Sequence, residues 1–170
     1  DRPLDVRIDG VIEAMADTVT PQGVVAVAAQ FTSTLAEVVA AKPRLVAILE
    51  EVRDPGNAGT ILRAADAAGA DAVIFSGKSV DPYNPKVVRS TTGSMFHVPI
   101  VSGVDLNEVV AAMHDAGLTV IAADVKGDDL LEHRAVLQLP TAWLFGNEAH
   151  GLDDAQLAKA DRALRLPIFG

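Results

Sequence analysis

Residues 54–75 read DPGNAGTILRAADAAGADAVIF. Asp54, Pro55 and Gly56 are turn formers, and the small residues after them keep a helical spacing. The run DAVIF (71–75) is apolar and β-branched, as a buried strand is. Asn57 is well suited to cap the helix, and Gly59 lets another backbone approach it closely. A second apolar run, LVAILE (45–50), stands just upstream. Strand, helix and strand within about thirty residues make a βαβ unit, whose two strands lie parallel and are joined by a right-handed crossover.

Outward from this unit the same alternation continues. A polar turn leads to a short helix from about Asn84, then FHVPIV (96–101), the helix DLNEVVAAMHDAG (105–117) and LTVIAAD (118–124). After a polar stretch come TAWLFG (141–146), the helix LDDAQLAKA (152–160) and RALRLPI (162–168). The expected fold is therefore α/β, a parallel sheet flanked by helices. Composition agrees, since 49% of the 170 residues are hydrophobic, only 4% are aromatic, and Ala, Val and Leu dominate. Upstream, VIEAMADTVTPQGVVAVAAQ (11–30) ends in a short β-rich run after the turn Pro21-Gln22-Gly23, and STLAEVVAAKP (33–43) reads as a helix stopped by Pro43. Too few residues precede Gly23 for an independent domain, so residues 1–30 read as the end of a larger N-terminal module and 31–43 as a connecting helix.

Several classes drop out. There is no cysteine, and His97, His114, His133 and His150 show no ligand-like i, i+4 spacing, so no metal is expected. No apolar run approaches the length of a membrane span, and DRPLDVRIDG (1–10) has no apolar signal core, which points to a cytoplasmic protein. The net charge of −9 argues against a general nucleic-acid coat. It is compatible with a specific RNA site built on a local cluster, and Lys78, Lys86 and Arg89 are close in sequence. Neither GxGxxG nor GxxxxGK[ST] is present, which disfavours a phosphate-loop nucleotide binder, and no GxSxG elbow supports a hydrolase triad from Ser94, His97 and Asp124.

In a parallel sheet, ligands bind beyond the carboxyl ends of strands. The candidate loops are EEVRDPGNAG (50–59), ADVKGDD (123–129) and FGNEAHGL (145–152). Arg63, nearly two turns past Asn57, is by itself compatible with a snorkelling surface group. In the third loop Gly146 permits close approach to the backbone just after a strand, with Asn147 and Glu148 at the strand edge. Its bland alternative is a plain βα turn broken by Gly151 and capped by Asp153 or Asp154.

Taken together, DPGNAGTILRAADAAGADAVIF, NPKVVRSTTGSMFHVPI (84–100), LFGNEAHGL (144–152) and LRLPIFG (164–170) resemble the SpoU branch of the SPOUT superfamily, the TrmH-like RNA 2'-O-ribose methyltransferases. The likeness covers residues 44–170 in order and spacing. It implies a trefoil-knotted sheet, an obligate homodimer, and S-adenosylmethionine held mainly by backbone groups at Ala123, Leu144, Phe145, Gly146, Leu166 and Ile168. It also implies that Asn57, Arg63 and Glu148 are catalytic, that Lys86, Arg89 and Ser94 meet the RNA, and that ribosomal RNA is favoured over transfer RNA. Residues 1–30 resemble the end of an L30e-like RNA-binding domain. The family pattern continues past LPIFG into a segment that completes the knot, so the C-terminal end of the knot is expected to be missing at Gly170. The rival expectation is a noncatalytic RNA-binding relative with the same fold.

Overall fold

The computed structural model describes residues 15–16, 20, 23–25 and 29–167. The chain divides into two units, residues 1–30 and 31–170. In the first, Gly23 has a φ of +80°, a conformation that favours glycine, while Pro21, Gln22 and most of the β-rich run after Gly23 lie outside the described residues.

In the second unit, six parallel strands form one sheet: β1 (Leu45–Glu50), β2 (Ala72–Ser76), β3 (Ile100–Val104), β4 (Thr119–Asp129), β5 (Thr141–Phe145) and β6 (Arg162–Arg165), in the order β3-β2-β1-β5-β4-β6. Its helices are α1 (Leu35–Ala40), α2 (Pro55–Ala67), α3 (Pro85–Ser90), α4 (Leu106–Asp115) and α5 (Asp154–Leu157), with 3₁₀ turns at Ser94–Phe96 and Arg134–Gln138. The expected α/β architecture is observed.

β1 and β2 are buried on both faces, so their sequences are nearly continuous apolar runs. Val46 and Ile48 of β1 and Leu144 of β5 pack on one face with Val38 of α1 and Val109 and Met113 of α4. Ala47 and Leu49 face the other way, onto Leu62 of α2, Val87 of α3 and Met95. Ile121, Val136 and Leu164 form a small third cluster with Trp143 at its edge.

Four boundaries differ from the sequence reading. The first long helix starts at Pro55, capped by Asp54, whose side chain accepts from the Asn57 N–H at 2.8 Å; Asn57 is the third helical residue, not the cap. Proline at the first position already has the helical φ, which draws the cap three residues earlier. FHVPIV is only partly strand, because Phe96 closes a 3₁₀ turn after the left-handed Gly93 (φ +102°) and β3 begins after Pro99. The helix expected over 152–160 is the single turn α5, held by a capping box between Asp153 and Gln156. The loop ADVKGDD lies inside β4. Leu164 is paired there with both Ala123 and Asp128, and residues 124–127 arch between them. A Cβ at Gly127 would sit 2.5 Å from the Ala163 backbone, so only glycine permits this crossing.

Candidate active site

The chain leaves β1 toward β2 on one side and returns to β5 on the other. The seam between β1 and β5 is therefore where the strand order reverses, the place where open α/β sheets bind ligands. Two loops meet over it. After β1 the chain turns through the left-handed Glu51 (φ +54°) into the Asp54 cap. After β5 the buried Asn147 donates through Nδ2 to the Glu51 carbonyl at 3.0 Å, and its Oδ1 accepts from the Ala149 N–H at 2.9 Å. Glu148 accepts from the Asp54 N–H at 3.2 Å and from the Arg53 N–H at 3.5 Å. Each side chain meets backbone groups that the sheet leaves without partners, so the pair clamps the start of α2 to the end of β5.

Beneath the clamp lies a buried carboxylate. Glu50, the last residue of β1, accepts from Ser76 Oγ at 2.5 Å and from Gln156 Nε2 at 3.2 Å. It thereby joins the ends of β1 and β2 to α5.

Gly146 was expected to leave room for a ligand against the backbone. On the side where a Cβ would stand, the molecule itself fills the room. A Cβ at 146 would lie 2.6 Å from Gly151 and 2.7 Å from Leu152, because the loop folds back through an Asn147–Gly151 bridge.

Arg63 is exposed on α2 and lines a cavity of about 540 Å³ with Thr60, Asp66, Thr92 and Ser94. A hydrogen bond from the Ser94 hydroxyl, and then His97, whose Nδ1 is 3.1 Å from Asp66 Oδ2, hold the Asp66 carboxyl below its usual pKa. The rim turns through Thr92 and Gly93, both at positive φ. Gly59 makes the packing of α2 on α3 possible, as expected of it. A Cβ there would stand 1.9 Å from Ser90 Oγ, which donates to the Pro55 carbonyl at 2.8 Å. Lys86 and Arg89 are exposed on α3, whose cap is Asn84.

A second, apolar cavity of about 580 Å³ runs along the sheet face on the other side of α2, from Leu45 to Phe145 and Leu166. Thr60 and Ala64 line both cavities, so one wall of α2 separates them. Of the residues expected to hold a cofactor, Ala123, Phe145 and Leu166 border this second cavity. The Leu144 side chain packs into the core of the opposite face, and Ile168 lies outside the described residues. Of the expected catalytic residues, Glu148 reaches the loop that carries Asn57, while Arg63 is six residues further along α2, about 9 Å by helical rise.

The link from Ser94 and His97 to Asp66 escaped the sequence reading. Asp66 follows Arg63 by three residues and so shares its helix face, which is the one signal that could have found it. Among the described residues no group of three His, Cys, Asp or Glu side chains is placed to hold a metal ion, and no helix is long and apolar enough to cross a membrane.

The chain is similar to known proteins over this region. It is 35% identical, over 92% of its length, to the 23S rRNA (guanosine(2553)-2'-O)-methyltransferase RlmP of Bacillus subtilis, and covers 60% of that protein. To the 23S rRNA (uridine(2479)-2'-O)-methyltransferase of Streptomyces viridochromogenes it is 35% identical over 88% of its length, covering 54% of the relative. The crystal structure of AdoMet-bound rRNA methyltransferase from Sinorhizobium meliloti superposes with a TM-score of 0.72 at 34% identity, over 83% of this chain and 54% of that one. The chain thus spans a little over half the length of these relatives. Residues 44–170, which contain both cavities and the clamp between β1 and β5, match the model of the SpoU rRNA Methylase family, and the chain belongs to that family.

Proposed function

We propose that the protein transfers a methyl group from S-adenosylmethionine to a ribose 2'-hydroxyl in ribosomal RNA. The observation that carries this reading is the pair of adjoining cavities on α2, one apolar and one holding an exposed arginine. The apolar cavity falls within the usual range of ligand sites and bears the Ala123, Phe145 and Leu166 wall that suits an adenosyl group. Bound there, the cofactor supplies an electrophilic methyl on a sulfonium.

The protein's task is then alignment, which can provide about 7–11 kcal/mol of a barrier. Glu148 and Asn147 fix the start of α2, and with it Asn57 and the direction from which Arg63 is presented. A guanidinium stays protonated, so Arg63 does not take the hydroxyl proton, which is released to solvent water as the oxygen is methylated. It grips the phosphate of the target nucleotide with its planar fork and stabilises negative charge as it develops on the ribose oxygen. Ser94, Lys86 and Arg89 border the RNA side.

In this reading the protein is a cytoplasmic homodimer, its sheet is closed by the family's trefoil knot, and residues 1–30 end an L30e-like RNA-binding domain. The retained clamp and arginine favour an enzyme over a noncatalytic relative. The test is to incubate the full-length protein with ribosomal RNA transcribed in vitro and methyl-labelled cofactor. Label resistant to alkaline cleavage at a defined nucleotide is the expected result. Label on a base, or none on any ribosomal RNA, refutes it.

A further inference from the structure

The chain has few aromatic residues, five Phe, one Trp and one Tyr, yet three of the seven meet at one place on the surface. Phe31 lies edge-on to Tyr83, with ring centroids 6.0 Å apart, and tilted against Phe96 at 5.5 Å. Phe96 is 62% exposed and Phe31 41%. Such exposure is not explained by core packing, because Met95, next to Phe96, already fills the core at 2%. The group is held in place. The Tyr83 hydroxyl donates to the Phe31 carbonyl, and the Tyr83 N–H donates to Asp81 Oδ1 at 2.9 Å.

Its position gives it a partner. Phe96 belongs to the same 3₁₀ turn as Ser94, which lines the Arg63 cavity, so the two Cα atoms are at most about 7 Å apart. Tyr83 immediately precedes the cap of α3, the helix that carries Lys86 and Arg89. Exposed aromatic faces beside cations and next to a ribose site match the chemistry of an unpaired nucleobase, which stacks on a ring while its phosphates meet the cations.

Resting on the reading above that the substrate is RNA, we propose that Phe96 and Phe31 form a stacking subsite for an unpaired base next to the methylated nucleotide. The subsite takes any base, since every base has a π-face, and serves to hold the splayed strand open in front of Arg63.

The test uses the full-length protein and two probes, a 12-nucleotide oligoadenylate and the same backbone with abasic riboses, beside the methylation assay on ribosomal RNA. Wild type should bind oligoadenylate more tightly than the abasic strand. Phe96→Ala should weaken oligoadenylate binding by about fivefold or more, leave abasic binding unchanged, and raise KM for ribosomal RNA more than it lowers kcat. Phe96→Trp should retain binding, and its fluorescence should be quenched by oligoadenylate. Equal affinity of wild type for both strands, or no binding to either, overturns the subsite. So does a Phe96→Ala variant that loses both strands equally, or one whose oligomeric state changes in sedimentation, since that would make the patch a protein interface. The failure of wild type to methylate any ribosomal ribose would instead refute the function from which the inference starts.

Discussion

Arg63 and Asp66 stand on one face of α2 and have opposite tasks. Arg63 is exposed and lines open space, so its removal leaves no buried partner behind. Arg63→Ala should abolish methyl transfer while changing stability by less than about 0.5 kcal/mol. Arg63→Lys should fail to restore turnover, because one ammonium cannot reproduce a planar fork; near-normal single-turnover rates for the lysine variant would disprove the bidentate role. Asp66 is tied to Ser94 and His97 and its pKa is lowered from the usual 3.8. A depressed carboxyl stabilises the fold above its unfolded pKa and loses that contribution as pH falls through the folded value. Thermal melting of wild type should therefore drop more steeply below pH 4 than that of Asp66→Asn, and parallel curves from pH 5 to pH 3 would show the tie to be inconsequential. Single residues were only partly legible in sequence. The need for glycine at 146 could be read from its place after a strand, but the backbone that approaches it belongs to Gly151 and Leu152, a fold-back with no local signature.

At the level of elements, local chemistry carries most of the information. The extents of β1 and α4 follow from their apolar runs and the cap at Asp105, whereas the start of α2 falls earlier than expected because Asp54, read only as a turn former, is its cap. Partnerships between elements were less legible. That Gly59 is a point of close approach could be read, but not that Ser90 of α3 is what approaches. Gly59→Ala should destabilise the protein by about 1–3 kcal/mol despite alanine's better helix propensity, because the new methyl would overlap Ser90. A urea midpoint that stayed constant or rose would mean that α3 moves aside freely. The clamp of Asn147 and Glu148 is likewise invisible in sequence, since its acceptors and donors are backbone groups about ninety-five residues away.

For the whole molecule, the charge of −9 repels RNA, while the function proposed above requires the site to attract it. Binding should be local and salt dependent, each phosphate contact adding about 0.7–0.9 to the slope of log affinity against log salt. The double variant Lys86→Ala, Arg89→Ala should lower that slope by about one to two units and leave cofactor affinity unchanged. An unaltered slope removes both residues from the RNA surface. The order of the strands also has a consequence in time. The two strands at the centre of the sheet are β1 and β5, and the bond from Glu148 to Arg53 that closes the site over them spans 95 residues of chain. At synthesis rates of about 5–20 residues per second, β1 waits several seconds outside the ribosome before β5 exists. Until then the nascent chain has Arg63 but no clamp from Asn147 and Glu148; on the proposed function, an unfinished chain should therefore leave the RNA of neighbouring ribosomes unmarked.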